Sequence, residues 1–199
     1  LKRMTDDTGI FQHAKYIIPN DSQGYCVDDN ARALITMVKY YTLRKDKEAI
    51  PYIQKYLAFL MYAFNQKNGR FRNFMSYDRN WLEISGSEDS HARSLWALGI
   101  TVKDAPDKYI RKSAMRLFLD ALPTVEDFNA PRAMAYSILG LQAYLTTYGG
   151  DVSARSVRDN LAQKLYDLFK KNMTEDWLWF ENTLTYANAV IPNALFVAG

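Results

Sequence analysis

The chain has 199 residues, of which 48% are hydrophobic and 24% are charged, and its formal net charge is +3 at pH 7. This composition is typical of a globular domain with an apolar core, and the weak charge without a long basic tract argues against nucleic acid or an anionic membrane as partner. One cysteine and two histidines are too few for an internal disulfide or a dedicated metal site, and no apolar run is long enough to span a membrane, so we expect a metal-free, cytoplasmic protein.

Apolar periodicity predicts helices along most of the chain. The first two, with apolar residues at three- and four-residue spacing, form a hairpin. Residues 69–86, rich in glycine, asparagine and aromatic residues, predict a long loop with a short β-ribbon, and an aromatic loop precedes the last helix. The predicted helices cover residues 28–45, 46–64, 88–102, 106–122, 130–148, 153–172 and 187–198.

The first helix of each predicted hairpin opens with a related motif. DDNARAL begins at Asp28, DSHARSL at Asp89 and FNAPRAM at Phe128, and a weaker copy, ANAVIP, begins at Ala187. Helices that share small residues and a signature at one end are expected to be the inner helices of a barrel, with their N-termini on one face. The sequence therefore predicts an all-α fold of stacked helical hairpins that form a partial or incomplete (α/α)6 toroid. We expect a single domain over residues 1–199, truncated at its C-terminal end.

Acidic residues are concentrated where these inner helices begin. A helix N-terminus stabilises carboxylates through its unpaired N–H groups and its dipole, and glycoside cleavage needs two carboxylates, one protonated and one ionised. Asp28, Asp29, Glu88 and Asp89 are therefore the candidate catalytic residues. For Asp28 and Asp89 the alternative is a structural role, in which each caps its helix and pairs with the arginine four residues later.

Aromatic residues are concentrated in the predicted loops before the inner helices. Sugars present apolar C–H faces that stack on aromatic rings, so Trp81 and Trp179 are candidate platforms, with packing of the loops onto the fold as the alternative. His13 lies in a polar segment that leads into the same face, and His91 follows Asp89. Both histidines are candidate substrate contacts, although a lone histidine is usually structural.

Other reaction classes have no support in the sequence. There is no glycine-rich phosphate loop and no G-x-S-x-G motif, which argues against ATP use and serine-hydrolase chemistry. Cys26 has no base beside it and is expected to be a small buried residue. We therefore expect no cofactor.

Three separated strings carry a resemblance to a known family. TDDTGIFQHAKYIIPNDSQGYCVDDNARAL, GSEDSHARSLWALG and WFENTLTYANAVIPNAL are similar to an uncharacterised α/α-toroid domain of the six-hairpin glycosidase-like type, often encoded behind or beside a family-4-like glycosyltransferase. The chain resembles the N-terminal half of that domain. The resemblance implies a carbohydrate context and a groove where the inner helices begin, without an established reaction. Together with the reasoning above, it gives the candidate substrate-binding residues His13, Tyr25, Asn30, Arg32, Trp81, His91, Arg93, Trp179, Glu181, Tyr186 and Asn188.

The sequence departs from the family pattern in two respects. The third string usually contains Thr-Tyr-Asp-Asn-Ala-Arg, but here Ala187 and Val190 replace the Asp and the Arg. This helix start therefore lacks a charged contribution. Similar domains also continue through further hairpins with their own acidic motifs, so this chain is expected to hold half of the site.

Three functions are consistent with these observations. The leading interpretation is a glycosidase-like or related carbohydrate-active domain that acts on an oligo- or polysaccharide. The alternative is a non-catalytic glycan-binding or scaffold module of an attached or neighbouring glycosyltransferase, so the sequence does not decide whether the chain is an enzyme. The third, a helical protein-interaction array, is disfavoured by the loop aromatics.

Overall fold

The computed structural model describes all 199 residues and is mostly helical. Consecutive helices pair into three hairpins, α1 with α2, α3 with α4 and α5 with α6, while α1, α3, α5 and α7 pack side by side in that order. The predicted succession of helical hairpins is confirmed. The helices are α1 Val27–Arg44, α2 Ala49–Ala63, α3 Glu88–Asp104, α4 Lys108–Ala121, α5 Pro131–Thr147, α6 Val152–Asn172 and α7 Val190–Ala198.

The inner and outer helices differ in how much of their surface is covered. Helix α5 buries every residue of 132–141, whereas α6 buries only the stripe formed by Ala154, Val157, Leu161 and Leu165. A helix that is apolar or small on all sides can be stable only between neighbours, and one with a single apolar stripe belongs on the outside. The sequence of α5 therefore determines its place between α3 and α7.

The backbones of α3 and α5 come into direct contact at two glycines. A Cβ atom added to Gly99 would lie 2.2 Å from the carbonyl oxygen of Gly140, and one added to Gly140 would lie 2.8 Å from the carbonyl oxygen of Leu95. Neither position has room for a side chain. The small residues expected between inner helices thus allow these two helices to approach as closely as backbones can.

Five short strands correct the expectation of a strictly all-α fold. They are β1 Phe11–Lys15, β2 Ile18–Cys26, β3 Phe64–Asn65, β4 Arg70–Phe71 and β5 Phe74–Met75. Strands β1, β2 and β5 form one antiparallel sheet, and β3 pairs with β4. The β1–β2 hairpin was not predicted because its tip, where Tyr16 and Ile17 are 93% and 69% exposed, buries neither face and so lacks the alternation that marks a half-buried strand.

Helix ends agree with the predicted ends within a few residues. Helix α7 shows one clear difference, since it begins at Val190 instead of residue 187 because Ala187 has a left-handed backbone with φ of +47°. No helix in the structure combines the length and the apolar character needed to cross a membrane.

Candidate functional site

The N-termini of α1 and α3 lie side by side and bring three aspartates and two arginines together. Arg93 Nε donates to Asp89 Oδ2 at 2.7 Å and lies 3.3 Å from Asp28 Oδ1, so these two oxygens are no more than 6.0 Å apart. Arg32 Nη2 lies 2.6 Å from Asp29 Oδ1 and 3.1 Å from Asp28 Oδ2. We call these five residues the Arg93 cluster. The expected ion pairs of Asp28 and Asp89 with the arginines four residues later are present.

The aspartates of the Arg93 cluster are not the helix caps. The cap positions are Cys26 for α1, without a side-chain hydrogen bond, and Ser87 for α3, whose hydroxyl accepts from the Ser90 N–H. The carboxylates of Asp28 and Asp89 are therefore available for contacts between α1 and α3. The capping part of the structural alternative does not hold, whereas the ion-pairing part does.

Burial gives the Arg93 cluster an unusual electrostatic character. The Arg93 side chain is only 9% exposed, and its guanidinium carbon lies 4.2 Å from the centroid of the Tyr136 ring on α5. Burial raises the pKa of Asp28, while Arg93 and Arg32 oppose that effect. Asp28 Oδ1 is buried and accepts no hydrogen bond, since its contact with Arg93 is ionic only. A carboxyl group with a raised pKa holds its proton closer to neutral pH, as a general acid must.

A second cluster forms where the loop before α7 meets α5. Arg132 Nη1 donates to both carboxylate oxygens of Glu181 at 3.0 and 2.8 Å, and Nη2 donates to Asn188 Oδ1 at 2.9 Å. Arg132 Nε donates to the carbonyl oxygen of Tyr186, and the guanidinium carbon lies 4.7 Å from the centroid of the Tyr186 ring. We call Arg132, Glu181, Tyr186 and Asn188 the Arg132 cluster.

Tyr186 joins the two clusters. Its hydroxyl donates to Asp89 Oδ1 at 3.3 Å, and the residue is 53% exposed. Burial and the charge of Asp89 raise the pKa of Tyr186, whereas Arg93 and Arg132 oppose this. The two clusters therefore form one continuous polar face with an accessible aromatic ring at its edge.

Glu88 and His91 flank Asp89 in sequence but lie outside both clusters. Glu88 Oε2 accepts the N–H groups of Asn129 and Ala130 at 3.0 and 2.9 Å, immediately before α5 begins, so its carboxylate stabilises that helix start. His91 is fully buried, with Nδ1 accepting from the Phe71 N–H at 3.3 Å and Nε2 donating to a backbone carbonyl. Burial lowers the pKa of His91 to about 3. Neither residue is positioned to meet a ligand beside Asp89.

Three predicted binding residues are part of the N-terminal region: Tyr25 and Asn30 bind its backbone and side chains, and His13 lies within it. The Tyr25 hydroxyl donates to Asp6 Oδ2 at 2.6 Å, and Asn30 accepts from the Ile10 N–H at 3.0 Å and donates to the Cys26 carbonyl at 2.9 Å. Tyr25 and Asn30 are fully buried. His13 is exposed on β1. The structure thus does not bring these residues to the two clusters.

Both predicted tryptophan platforms make packing contacts within the fold, Trp81 with an outer helix and Trp179 with a neighbouring loop residue. The Trp81 ring lies 5.8 Å from the Phe59 ring and 5.4 Å from the Tyr62 ring of α2, centroid to centroid. Trp179 lies 5.4 Å from Phe180, which in turn packs on α6. These contacts match the alternative in which loop aromatics fasten the loops to the fold.

Tyr136 and Arg132 complete the face but were not among the predicted site residues. Arg132 had a signal, because it occupies the same motif position as Arg32 and Arg93. Tyr136 had none, since an aromatic residue within an apolar helix is ordinarily interpreted as a core residue.

A cavity of about 290 Å³ borders Asp29 and Arg32. No group of three or more His, Cys, Asp or Glu side chains is arranged to hold a metal ion.

Comparisons with known proteins give matches to solved structures only. No family model and no curated protein matches the chain. A cellobiose 2-epimerase from Bacillus thermoamylovorans B4167 is 14% identical with a TM-score of 0.74, over 99% of this chain and 62% of that one. A polysaccharide lyase is 16% identical with a TM-score of 0.62, over 90% and 61% of the two chains. A family 88 glycosyl hydrolase from Bacteroides vulgatus is 12% identical with a TM-score of 0.63, over 90% and 62%.

These similarities concern the fold. The chain shares the α/α-toroid fold of the three proteins, and the likeness to a toroid inferred from the repeated helix starts is confirmed at that level. The chain spans about 60% of the length of each of them.

Proposed function

We propose that the chain is a carbohydrate-active, glycosidase-like α/α-toroid domain that acts on or binds an oligo- or polysaccharide at the face formed by the Arg93 and Arg132 clusters. The observation that carries the proposal is the convergence of Asp28 and Asp89, from two neighbouring helices, on Arg93, with the exposed Tyr186 ring beside them. Carboxylates that accept hydroxyl hydrogen bonds and a ring that stacks on C–H faces are the groups that sugars require. The epimerase, lyase and hydrolase names of the similar structures support the same substrate class.

Within this site the two aspartates have different roles. Asp28, whose pKa is raised by burial, is the proposed proton donor. Asp89, held by Arg93 and Tyr186, is the proposed ionised partner. Arg32 and Arg93 orient the carboxylates, and Asp29 faces the adjoining cavity. Two carboxyl groups in different environments are the arrangement that glycoside chemistry uses.

A non-catalytic role is the second candidate. Both Asp28 and Asp89 are already paired with arginine, and Glu88 is engaged by the start of α5. A site whose carboxylates are all engaged by arginines or backbone N–H groups can bind a glycan for an attached or neighbouring glycosyltransferase without cleaving it.

The family resemblance supports that partner and a cytoplasmic location as parts of the proposal. The same resemblance is the ground for proposing that the chain corresponds to the N-terminal half of a six-hairpin toroid.

Saccharide titration tests the proposal directly. Calorimetry and NMR with a panel of neutral and acidic oligosaccharides should detect binding by the wild-type chain, and Asp89→Asn should weaken it. Asp159→Asn is the matched control, because Asp159 is also bound to an arginine but lies on α6, away from the face. Mass spectrometry of the mixtures separates the two candidates.

The outcomes of that titration are distinct. Turnover that disappears in Asp28→Asn identifies a catalytic domain, and binding without turnover identifies the glycan-binding module. If no saccharide binds, or if Asp89→Asn binds as tightly as the wild type, the proposed site is wrong.

A further inference from the structure

The three arginines at the same motif position have different partners. Arg32 and Arg93 each pair with an aspartate four residues earlier on the same helix. The equivalent residue before Arg132 is Phe128, which is 1% exposed and carries no charge. Arg132 therefore has no acid on its own helix, and its carboxylate partner, Glu181, comes from the loop that precedes α7.

We infer that Arg132 is a positioning residue that fixes the ring of Tyr186 beside Asp89 at the edge of the saccharide site. The inference rests on the proposed function. One guanidinium holds the Tyr186 backbone through Nε and its carbonyl, and it covers the Tyr186 ring at 4.7 Å from the centroid. Because the Arg132 side chain is only 6% exposed, it acts on a ligand through Tyr186 and not by contact.

The backbone next to Tyr186 depends on the same contacts. Ala187 has φ of +47°, a left-handed conformation that is unfavourable for a residue with a Cβ atom and persists only where its surroundings hold it. Asn188 Oδ1 accepts from Arg132 Nη2 at 2.9 Å and from the Thr185 N–H at 3.2 Å, which closes the turn around Ala187. Arg132 is the only side chain from outside the loop that binds residues on both sides of Ala187.

Tyr186 has the geometry of a sugar platform in this position. One part of its ring surface is covered by the guanidinium of Arg132, its hydroxyl is bound to Asp89, and the residue remains 53% exposed. The exposed part offers an apolar surface beside a carboxylate, which suits the C–H face and the adjoining hydroxyl of a sugar ring. A released loop would lose this alignment.

The variant Arg132→Lys tests the inference. It keeps the positive charge but cannot reproduce the forked hydrogen bonds of a guanidinium. The dissociation constant for the tightest-binding oligosaccharide of the panel should rise about tenfold. The second readout is the pH titration of Tyr186 in protein labelled with 13C-tyrosine, its signal assigned with Tyr186→Phe. The charged groups facing that hydroxyl are Asp89 and Arg93 of α3 and Arg132 of α5.

The expected titration has a definite direction. Burial and Asp89 raise the pKa of Tyr186, so release of the ring in Arg132→Lys should lower that pKa towards the ordinary tyrosine value. Because lysine keeps the charge, a direct electrostatic change is minimised. Arg158→Lys, the same change at an arginine of α6 that also pairs with an acid, should leave both readouts unchanged.

The remaining outcomes are unambiguous. If Arg132→Lys lowers only the melting temperature while Tyr186 titrates as in the wild type, Arg132 is merely structural and the inference is overturned. Should Arg132→Lys fail to fold, Glu181→Gln gives the same test, with a smaller shift of the same sign expected. Since the titration needs no saccharide, absence of saccharide binding would overturn the proposed function without deciding this inference.

Discussion

The two arginine clusters on this face use the same chemistry but obtain their partners differently. Arg93 and Arg132 are each nearly buried, bind carboxylates and lie over a tyrosine ring, Tyr136 or Tyr186. All partners of Arg93 stand on α1, α3 and α5, whereas those of Arg132 stand on loop residues 181–188. The first cluster is therefore as rigid as the helices, while the second exists only as long as the loop stays folded.

Removing the arginine of the helix-borne cluster should have the largest effect. Arg93→Ala would leave Asp89 without an arginine and Asp28 with Arg32 as its only cationic partner, while the two carboxyl groups stay close together. Loss of one partner from a buried pair costs about 3–5 kcal/mol, so the free energy of unfolding measured in urea should fall by that amount. A loss below about 1 kcal/mol, the range of exposed ion pairs, would mean that the helices do not hold the aspartates in place.

The same substitution in the loop-borne cluster should cost less. In Arg132→Ala, Glu181 is left without its partner, but it stands on a loop that can turn its carboxylate towards water, whereas Asp28 and Asp89 are fixed on helices. We expect a loss of about 2 kcal/mol, below the cost for a fully buried pair. Limited proteolysis should cut the variant within residues 178–188 while sparing the wild type. Equal losses for Arg93→Ala and Arg132→Ala would remove the distinction between the clusters.

Acidification should weaken the helix that supports the first cluster. His91 lies on α3 just beyond Asp89, and burial lowers its pKa to about 3, against 6.5 for an ordinary histidine. Below pH 6.5 the unfolded chain therefore takes up the proton before the folded one, and stability falls as the pH falls. The contribution of His91 at pH 5 amounts to a loss of about 2 kcal/mol relative to pH 7. Urea unfolding at several pH values should show a flatter dependence in His91→Gln; an identical dependence would place His91 in a wetter environment.

The smallest expected effect concerns Glu88, which links the first turn of α3 to the residues just before α5. Glu88→Ala removes the carboxylate that accepts two N–H groups ahead of α5, and the loss of such a helix-start contact costs about 1 kcal/mol. Saccharide affinity should stay unchanged, because Glu88 does not face the Arg93 cluster. Calorimetric binding and thermal unfolding check the two parts separately, and a drop in affinity equal to that of Asp89→Asn would return Glu88 to the site.

The part of the site that was predictable follows from the repeated motif. Residues at equal motif positions on neighbouring parallel helices lie side by side, so the meeting of Asp28 with Arg93 and Asp89 could be expected from sequence. The motif does not predict which of the side chains of Glu88, Asp89 and His91 faces the site. Successive residues of a helix point about 100° apart, so Glu88, Asp89 and His91, all within one helical turn, face α5, the cluster and the core respectively.

Other differences have equally physical causes. The core helices were predictable because their apolar periodicity is strong, but the β1–β2 hairpin is largely exposed and leaves no such pattern. Loop tryptophans such as Trp81 and Trp179 carry no periodicity at all, so sequence cannot tell a packed ring from a free one. The loop contacts of Arg132 depend on the path of the chain between α6 and α7, which local patterns do not encode.

The contact between Gly99 and Gly140 has a consequence for the tolerance of this fold to mutation. It sets the spacing of α3 and α5, and that spacing is what lets Arg93 reach Tyr136 and Glu88 reach the start of α5. A methyl group at either glycine would collide with the backbone of the other helix and force the two helices apart at this contact. In a saturation mutagenesis screen for a functional site, these two positions, which carry no functional group, should therefore be as intolerant of change as the aspartates themselves.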